Sequence, residues 1–251
     1  MIQHQGVGYN NIDLAAAAGA DIAVALTPEG TSGPVAEHVF LLILSLYRRL
    51  FEARASLREG RWLQWDLRPN SYDLAGKRIG IVGLGRIGRE VAKRARAFDC
   101  DVVYCDAVRA PEDIEAELGV VYTHFEDLLQ RSDIVTVHVP LSQETRALIG
   151  AAELALMQPS ALLLNVARGG IVDETALYEA LVAGRLAGAG LDVYASEPPD
   201  AALPLLHLDN VIATPHVAAG TRDALVAKMT AAFANMQRRL NGETLHNEVH
   251  L

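Results

Sequence analysis

Between about Lys77 and Pro215, short β-branched runs alternate with longer stretches whose apolar positions recur at helical spacing. The pattern predicts strands at Arg78–Val82, Asp101–Cys105, Val120–Tyr122, Ile134–Val137, Ala161–Val166, Ala189–Val193 and Val211–Ala213. Helices are predicted between them at Ile87–Phe98, Phe125–Gln130, Ala151–Met157 and Glu174–Ala183. Such alternation implies parallel strands joined by crossover helices, so the expected fold is α/β, a doubly wound parallel sheet. Unbroken apolar runs such as Ala161-Leu162-Leu163-Leu164 suit strands covered on both faces. The flanks read differently. Residues 1–34 predict a short helix at Ile12–Ala18, a strand at Ile22–Leu26 and a loop at Thr27–Pro34, and a long helix from Val35 to Leu50 leads into the central unit. A second long helix, Thr221–Leu240, closes the chain. The expected organisation is a discontinuous second domain from residues 1–34 and 222–251 around a central domain of residues 35–221, with a ligand-binding cleft between them.

Composition narrows the partners. A chain of 251 residues, 51% hydrophobic and 21% charged, can bury a substantial core. Its net charge of −9 argues against nucleic acid or an anionic membrane surface, both of which need clustered Lys and Arg. Cys100 and Cys105, the only cysteines, flank one predicted strand and form neither a disulfide framework nor a metal set, which points to a reducing cytoplasm. No secretory signal is visible at Met1–Gly6. The most apolar run, Val39–Leu46, falls well short of the roughly 20 residues that span a bilayer and suits a buried helix.

Candidate chemistry starts at Gly83-Leu84-Gly85-Arg86-Ile87-Gly88, between a predicted strand and a predicted helix. A G-x-G-x-x-G match alone is weak evidence, but in this setting it is a dinucleotide fingerprint. The first glycine permits the turn, the second lets backbone approach a pyrophosphate, and the third lets helix and strand pack closely. Asp106 ends the next strand at the distance expected of the ribose-binding acid, which favours NAD, while Arg109 nearby keeps NADP open.

Three further side chains follow predicted strands: Arg168 in Asn-Val-Ala-Arg-Gly-Gly, Glu197 in Ser-Glu-Pro-Pro and His216 in Thr-Pro-His. Hydride transfer to or from a 2-oxo or 2-hydroxy acid needs a cation for the carboxylate, a proton-exchanging group and something to tune that group. Arginine offers a planar fork for a carboxylate, histidine changes charge near neutrality, and a neighbouring carboxylate favours the protonated ring. Singly, each has an ordinary explanation as a surface or solvated residue. His38 and His138 suit core packing or a helix surface better than proton donation, and Trp62 and Trp65 suit packing within the subunit or against a partner equally well.

In this order, and together with Val137–Leu141, Asn165–Asp173, Gly190–Tyr194 and Thr214–Ala218, the segments resemble the D-isomer-specific 2-hydroxyacid dehydrogenase family, which includes glyoxylate and hydroxypyruvate reductases and phosphoglycerate dehydrogenases, over nearly the whole chain. The resemblance implies a Rossmann domain with a flavodoxin-like second domain, an NAD cofactor and a homodimer built on the nucleotide domains. It implies His216 as proton donor in the reductive direction, Glu197 as its partner and Arg168 as the group that binds and orients the substrate. Arg86, Ile87, Val139, Pro140, Val166, Ala167 and the stretch Ala218–Gly220 would line the cofactor, and Asp192 would approach the nicotinamide amide. The loop Gly6–Asp13 resembles the substrate loop, where the N–H groups of Val7 and Gly8 would hold the substrate carboxylate; Asn10 stands where many relatives carry Asp.

Family members carry further strand–helix units before that loop. The chain is therefore expected to be an N-terminally truncated form or fragment, its second domain a remnant exposing a sheet edge and an apolar face, with no regulatory domain after the closing helix. The expected function is hydride transfer between NAD(H) and a small 2-oxo or 2-hydroxy acid of the glyoxylate, hydroxypyruvate or phosphohydroxypyruvate class. Two alternatives stand beside it, an NAD-binding but inactive remnant and a corepressor-like nucleotide-sensing module.

Overall fold

The computed structural model describes residues 1–9 and 11–249; Asn10 lies outside the described residues. In chain order the elements are β1 (Ile2–His4), α1 (Leu14–Gly19), β2 (Val24–Leu26), α2 (Ser32–Tyr47), α3 (Leu50–Arg58), β3 (Arg78–Val82), α4 (Arg86–Ala97), β4 (Asp101–Cys105) and α5 (Glu112–Leu118). There follow β5 (Val121–Tyr122), α6 (Phe125–Arg131), β6 (Ile134–Val137), α7 (Ala151–Leu156), β7 (Leu162–Asn165), α8 (Glu174–Val182), β8 (Gly188–Leu191), β9 (Val211–Ala213), α9 (Arg222–Leu240) and β10 (Glu248–Val249). They form two compact units, Met1–Val35 with Ala219–Leu251, and Ala36–Ala218.

The larger unit is a seven-stranded, all-parallel sheet of order β5-β4-β3-β6-β7-β8-β9. This is the doubly wound Rossmann arrangement expected from the alternating pattern. Its central strands β6, β7 and β8 are buried at every position, which explains their unbroken apolar sequence. One core lies where Leu128, Leu129, Leu154, Leu177 and Leu181 of the helices meet Val135, Val137 and Leu163 of the sheet. Leu42 of α2 packs so closely on β8 that a Cβ on Gly190 would come within 3.1 Å of it. Strand order reverses between β3 and β6, and Gly83 follows the first and His138 the second.

The smaller unit holds a three-stranded sheet of order β1-β2-β10, β1 parallel and β10 antiparallel to β2. Thr27, fully buried, accepts from the Gly6 N–H at 3.0 Å and donates to the His4 carbonyl at 2.8 Å, fixing the start of the loop that carries Val7 and Gly8. Asn235 of α9 clamps the terminal segment, donating to His246 O at 2.8 Å and accepting from its N–H at 2.9 Å. Phe233, Met236 and Leu240 of α9 are exposed.

Two expectations need correction. The predicted loop at Thr27–Pro34 gives up Ser32, Gly33 and Pro34 to the first turn of α2, where proline loses no hydrogen bond because the first amides have no partner. The single helix predicted to Leu50 instead stops at Tyr47, and Arg49 adopts a left-handed conformation (φ 48°) before α3 begins.

Candidate active site

The side chains singled out in the larger unit all follow the carboxyl ends of its parallel strands, where doubly wound sheets bind ligands. Gly83 and Gly85 lie in the β3–α4 turn, Arg86, Ile87 and Gly88 open α4, and Asp106 follows β4. Val139 and Pro140 follow β6; Val166, Ala167 and Arg168 follow β7; Asp192 and Glu197 follow β8; His216 and Ala218 follow β9. Val7 and Gly8 belong to the smaller unit.

The glycine turn has the shape a dinucleotide requires. Gly83 has φ +97°, which a side chain would strain, and a Cβ on it would lie 2.9 Å from Val139 Cγ1. A Cβ on Gly88 would strike the Gly83 carbonyl at 2.2 Å, so α4 sits directly on the turn. At exposed Gly85 a Cβ would meet nothing within 4 Å, leaving open space before the first-turn amides of α4. Those amides have no carbonyl of their own to reach and favour an anion. Leu84 at the turn's centre is held from both sides: its N–H donates to Asp106 Oδ2 at 2.7 Å and its carbonyl accepts from Arg89 Nε at 3.2 Å. The cradle therefore fits a dinucleotide.

His216 and Glu197 meet. His216 Nδ1 lies 2.7 Å from Glu197 Oε2, with both side chains partly exposed. Glu197 Oε1 accepts from the Tyr194 N–H at 3.1 Å, so each carboxylate oxygen has its own task. The contact leaves Nε2 as the ring atom turned away from the acid.

Arg168 belongs to the same cluster through its loop. Gly169, next in the chain, packs on the backbone of Tyr194 and Ala195 so closely that a Cβ would fall 1.7 Å from Tyr194 O. Asn165 shapes the loop, donating to Arg168 O at 2.9 Å and accepting from Ala167 N at 3.2 Å. Burial pulls the Arg168 guanidinium below its usual value, and the negative charge of Glu197 opposes that shift.

Asp192 anchors the histidine segment. It is fully buried; Oδ1 accepts from Thr214 Oγ1 at 2.6 Å and from Val217 N at 2.9 Å, and Oδ2 accepts from Ala218 N at 2.8 Å. Thr214 spends its proton there, so it accepts from His38, whose Nε2 lies 3.0 Å from Thr214 Oγ1 and 3.7 Å from Asp192 Oδ1. His38 thus backs the site from α2, a role sequence reasoning missed because 176 positions separate it from Thr214. Tyr194 was missed as well. Its hydroxyl donates to Thr214 O at 3.0 Å, and burial, reinforced by the charges of Asp192, Glu197 and Glu174, pushes that hydroxyl up to about 12, so it stays a donor. The Gly190-Leu191-Asp192-Val193-Tyr194 run was the available signal, but main-chain contacts leave no pattern in side-chain type. His138 is half-buried, with its Nδ1 enclosed and its Nε2 2.9 Å from Thr136 Oγ1.

Residues 40–218 match the family model described as the D-isomer specific 2-hydroxyacid dehydrogenase, NAD binding domain. The chain is similar to a glyoxylate reductase of Korarchaeum cryptofilum, 43% identical over 235 residues that cover 92% of this chain and 70% of that protein. It is 42% identical over 251 residues to a D-3-phosphoglycerate dehydrogenase of Archaeoglobus fulgidus, spanning all of this chain but 47%, about half, of that protein's length. Among solved structures, D-lactate dehydrogenase with NAD+ from Lactobacillus jensenii superposes with a TM-score of 0.87 at 31% identity, covering 98% of this chain and 77% of the other.

Proposed function

The chain belongs to the D-isomer specific 2-hydroxyacid dehydrogenase family and carries its NAD-binding domain, and on that premise we propose that it reduces a small 2-oxo acid to the 2-hydroxy acid with His216 as proton donor. The observation that carries the proposal is the 2.7 Å pairing of His216 Nδ1 with Glu197 Oε2, on loops braced against the one that bears Arg168.

The glycine turn would hold NADH, which when bound would supply a hydride for the carbonyl carbon. Arg168 pairs with the substrate carboxylate and polarises the carbonyl oxygen, which becomes negative as the carbon is reduced. His216 gives that oxygen its proton from Nε2, because Nδ1–H is engaged by Glu197. Glu197 fixes the tautomer and offsets the charge of the doubly protonated ring. Asp192 keeps the segment that carries His216 in register. Asp106 would take the ribose hydroxyls and Gly83–Gly88 the pyrophosphate, and Val139, Pro140, Val166, Ala167 and Ala218 would line the remainder. The approach of Asp192 to the nicotinamide amide, and the hold of the Val7 and Gly8 amides on the substrate, are proposed on the family resemblance. So is the reading of the smaller unit as a substrate-binding remnant.

Glyoxylate, hydroxypyruvate and phosphohydroxypyruvate are the candidate substrates, after the names of the relatives. A homodimer through the larger unit accords with the exposure of Phe51, Leu57, Trp62 and Trp65, and the two buried free thiols accord with a cytoplasmic setting. The test is NADH oxidation followed by absorbance with each acid, beside nucleotide binding followed by fluorescence. His216→Ala is expected to keep NADH binding and lose on the order of 10²–10⁴-fold in kcat. Wild-type protein that binds NADH but turns over no 2-oxo acid would favour the inactive or nucleotide-sensing alternative.

A further inference from the structure

A dinucleotide fold chooses between its two nicotinamide cofactors with an acid at a strand end and, for NADP, an arginine nearby that accepts the 2′-phosphate. This chain carries both within one loop, Asp106 and, three positions on, Arg109. We infer that Glu115 sets the preference for NAD by holding Arg109 away from the ribose 2′ position. The inference rests on the cofactor reading above and deepens it.

Arg109 is turned toward α5. Its Nε donates to Glu115 Oε1 at 2.8 Å and its Nη2 to Oε2 at 2.7 Å, a two-pronged pairing that uses both carboxylate oxygens. The acceptor is itself fixed. Tyr104, fully buried on β4, donates from its hydroxyl to Glu115 Oε1 at 2.6 Å, and Ala110 N donates to that hydroxyl at 2.8 Å. The guanidinium also lies 5.7 Å from the centre of the Tyr122 ring on β5. Asp106 faces the other way, with Oδ2 on the Leu84 N–H of the glycine turn. The turn thus meets a carboxylate, while the loop's one guanidinium is spent elsewhere. Arg109 first and Tyr104 second hold the Glu115 carboxyl down at about 2, so the pairing stays charged through the physiological range.

The chemistry sets the direction. A 2′-phosphate brought to this loop meets the charge of Asp106, and the loop's own guanidinium is already paired with Glu115. Freeing Arg109 provides that cation on a flexible stem. Leaving Asp106 in place means NADH still binds, so the readout is a ratio of affinities.

The experiment measures dissociation constants of NADH and NADPH by fluorescence titration of the full chain, in wild type, Arg109→Ala, Glu115→Ala, Glu115→Gln and the Arg109→Ala/Glu115→Ala double variant. Arg109→Ala alone is expected to change NADPH affinity by less than about twofold, because the guanidinium is already withdrawn. Glu115→Ala is expected to raise the NADPH-to-NADH affinity ratio about tenfold, the scale of one charge-assisted hydrogen bond. Glu115→Gln should move it the same way by less, and the double variant should lose the gain. The inference is overturned if both Glu115 variants bind NADH at an unchanged ratio, or if the gain survives loss of Arg109. A roughly tenfold loss of NADPH affinity in Arg109→Ala alone also overturns it, and that variant decides even if the Glu115 variants do not fold. Wild type that binds neither nucleotide removes the cofactor reading itself, whereas NADH binding with an unmoved ratio removes this inference alone.

Discussion

Replacing Gly169 by alanine probes the brace between the arginine and glutamate loops. A Cβ there would lie 1.7 Å from Tyr194 O, 2.0 Å from Tyr194 C and 2.6 Å from Ala195 N. All three are backbone atoms, so no side chain can swing aside, and relief requires the two segments to part by about 1.5 Å to reach ordinary contact. Overfilling a packed site costs about 1–3 kcal/mol, and rigid backbone on the receiving side argues for about 3. In a chain of this size that is a fall of ~6–12 °C in Tm. The catalytic loss should be comparable to the stability loss, since 10²-fold corresponds to about 2.7 kcal/mol. Arg168 precedes Gly169 and Glu197 lies three residues beyond Tyr194, so a shift of about 1 Å separates groups proposed to act on one substrate and is expected to cost on the order of 10²-fold in kcat/KM. Gly19→Ala serves as the control: a Cβ there meets nothing within 4 Å and no left-handed φ is involved, so stability should rise by about 0.5 kcal/mol. Thermal denaturation and NADH oxidation with glyoxylate or hydroxypyruvate measure both effects. A Gly169→Ala protein with Tm within about 2 °C of wild type and kcat/KM within about threefold would refute the reasoning.

Asp192→Asn should turn an amide N–H₂ toward one of its present backbone donors, costing about 3 kcal/mol and speeding hydrogen exchange at the Val217 and Ala218 amides. Unchanged protection of those two amides would count against Asp192 as the anchor. His138 gives a pH dependence: burial pushes its ring down to about 3, well below the ordinary value of about 6.5. Between those values the unfolded chain binds a proton that the folded chain refuses. Stability is therefore full above about pH 6.5 and falls with acidification, by up to about 1.4 kcal/mol per pH unit. His138→Gln should flatten that slope in denaturation measured from about pH 6.5 down to about pH 4.5, and an unaltered slope would assign the acid sensitivity to other groups.

The middle of the sheet was legible because β6, β7 and β8 are covered on both faces. The bounds of β3, β4, β6 and β9 agree with the apolar runs residue for residue. Strands β1 and β10, three and two residues long, were not legible, since they are held by pairing to β2 from opposite ends of the chain. Arg49 gave no hint that α2 would break, because arginine is an ordinary helix residue. At the site, Arg168, Glu197 and His216 could be named from their segments. The contacts that join their loops could not, since Tyr194 C=O and Thr214 C=O are groups that any residue would supply.

Tyr194 reaches all three loops at once: its N–H meets Glu197, its carbonyl abuts Gly169, and its hydroxyl meets Thr214 O. Two of these three ties belong to the peptide rather than to the tyrosine. A phenylalanine there would forfeit only the third. A single residue inserted or deleted between Asp192 and Tyr194 would shift all three ties together. What this stretch guards most strictly is its residue count, so evolutionary change here should run through exchange of side chains at constant loop length.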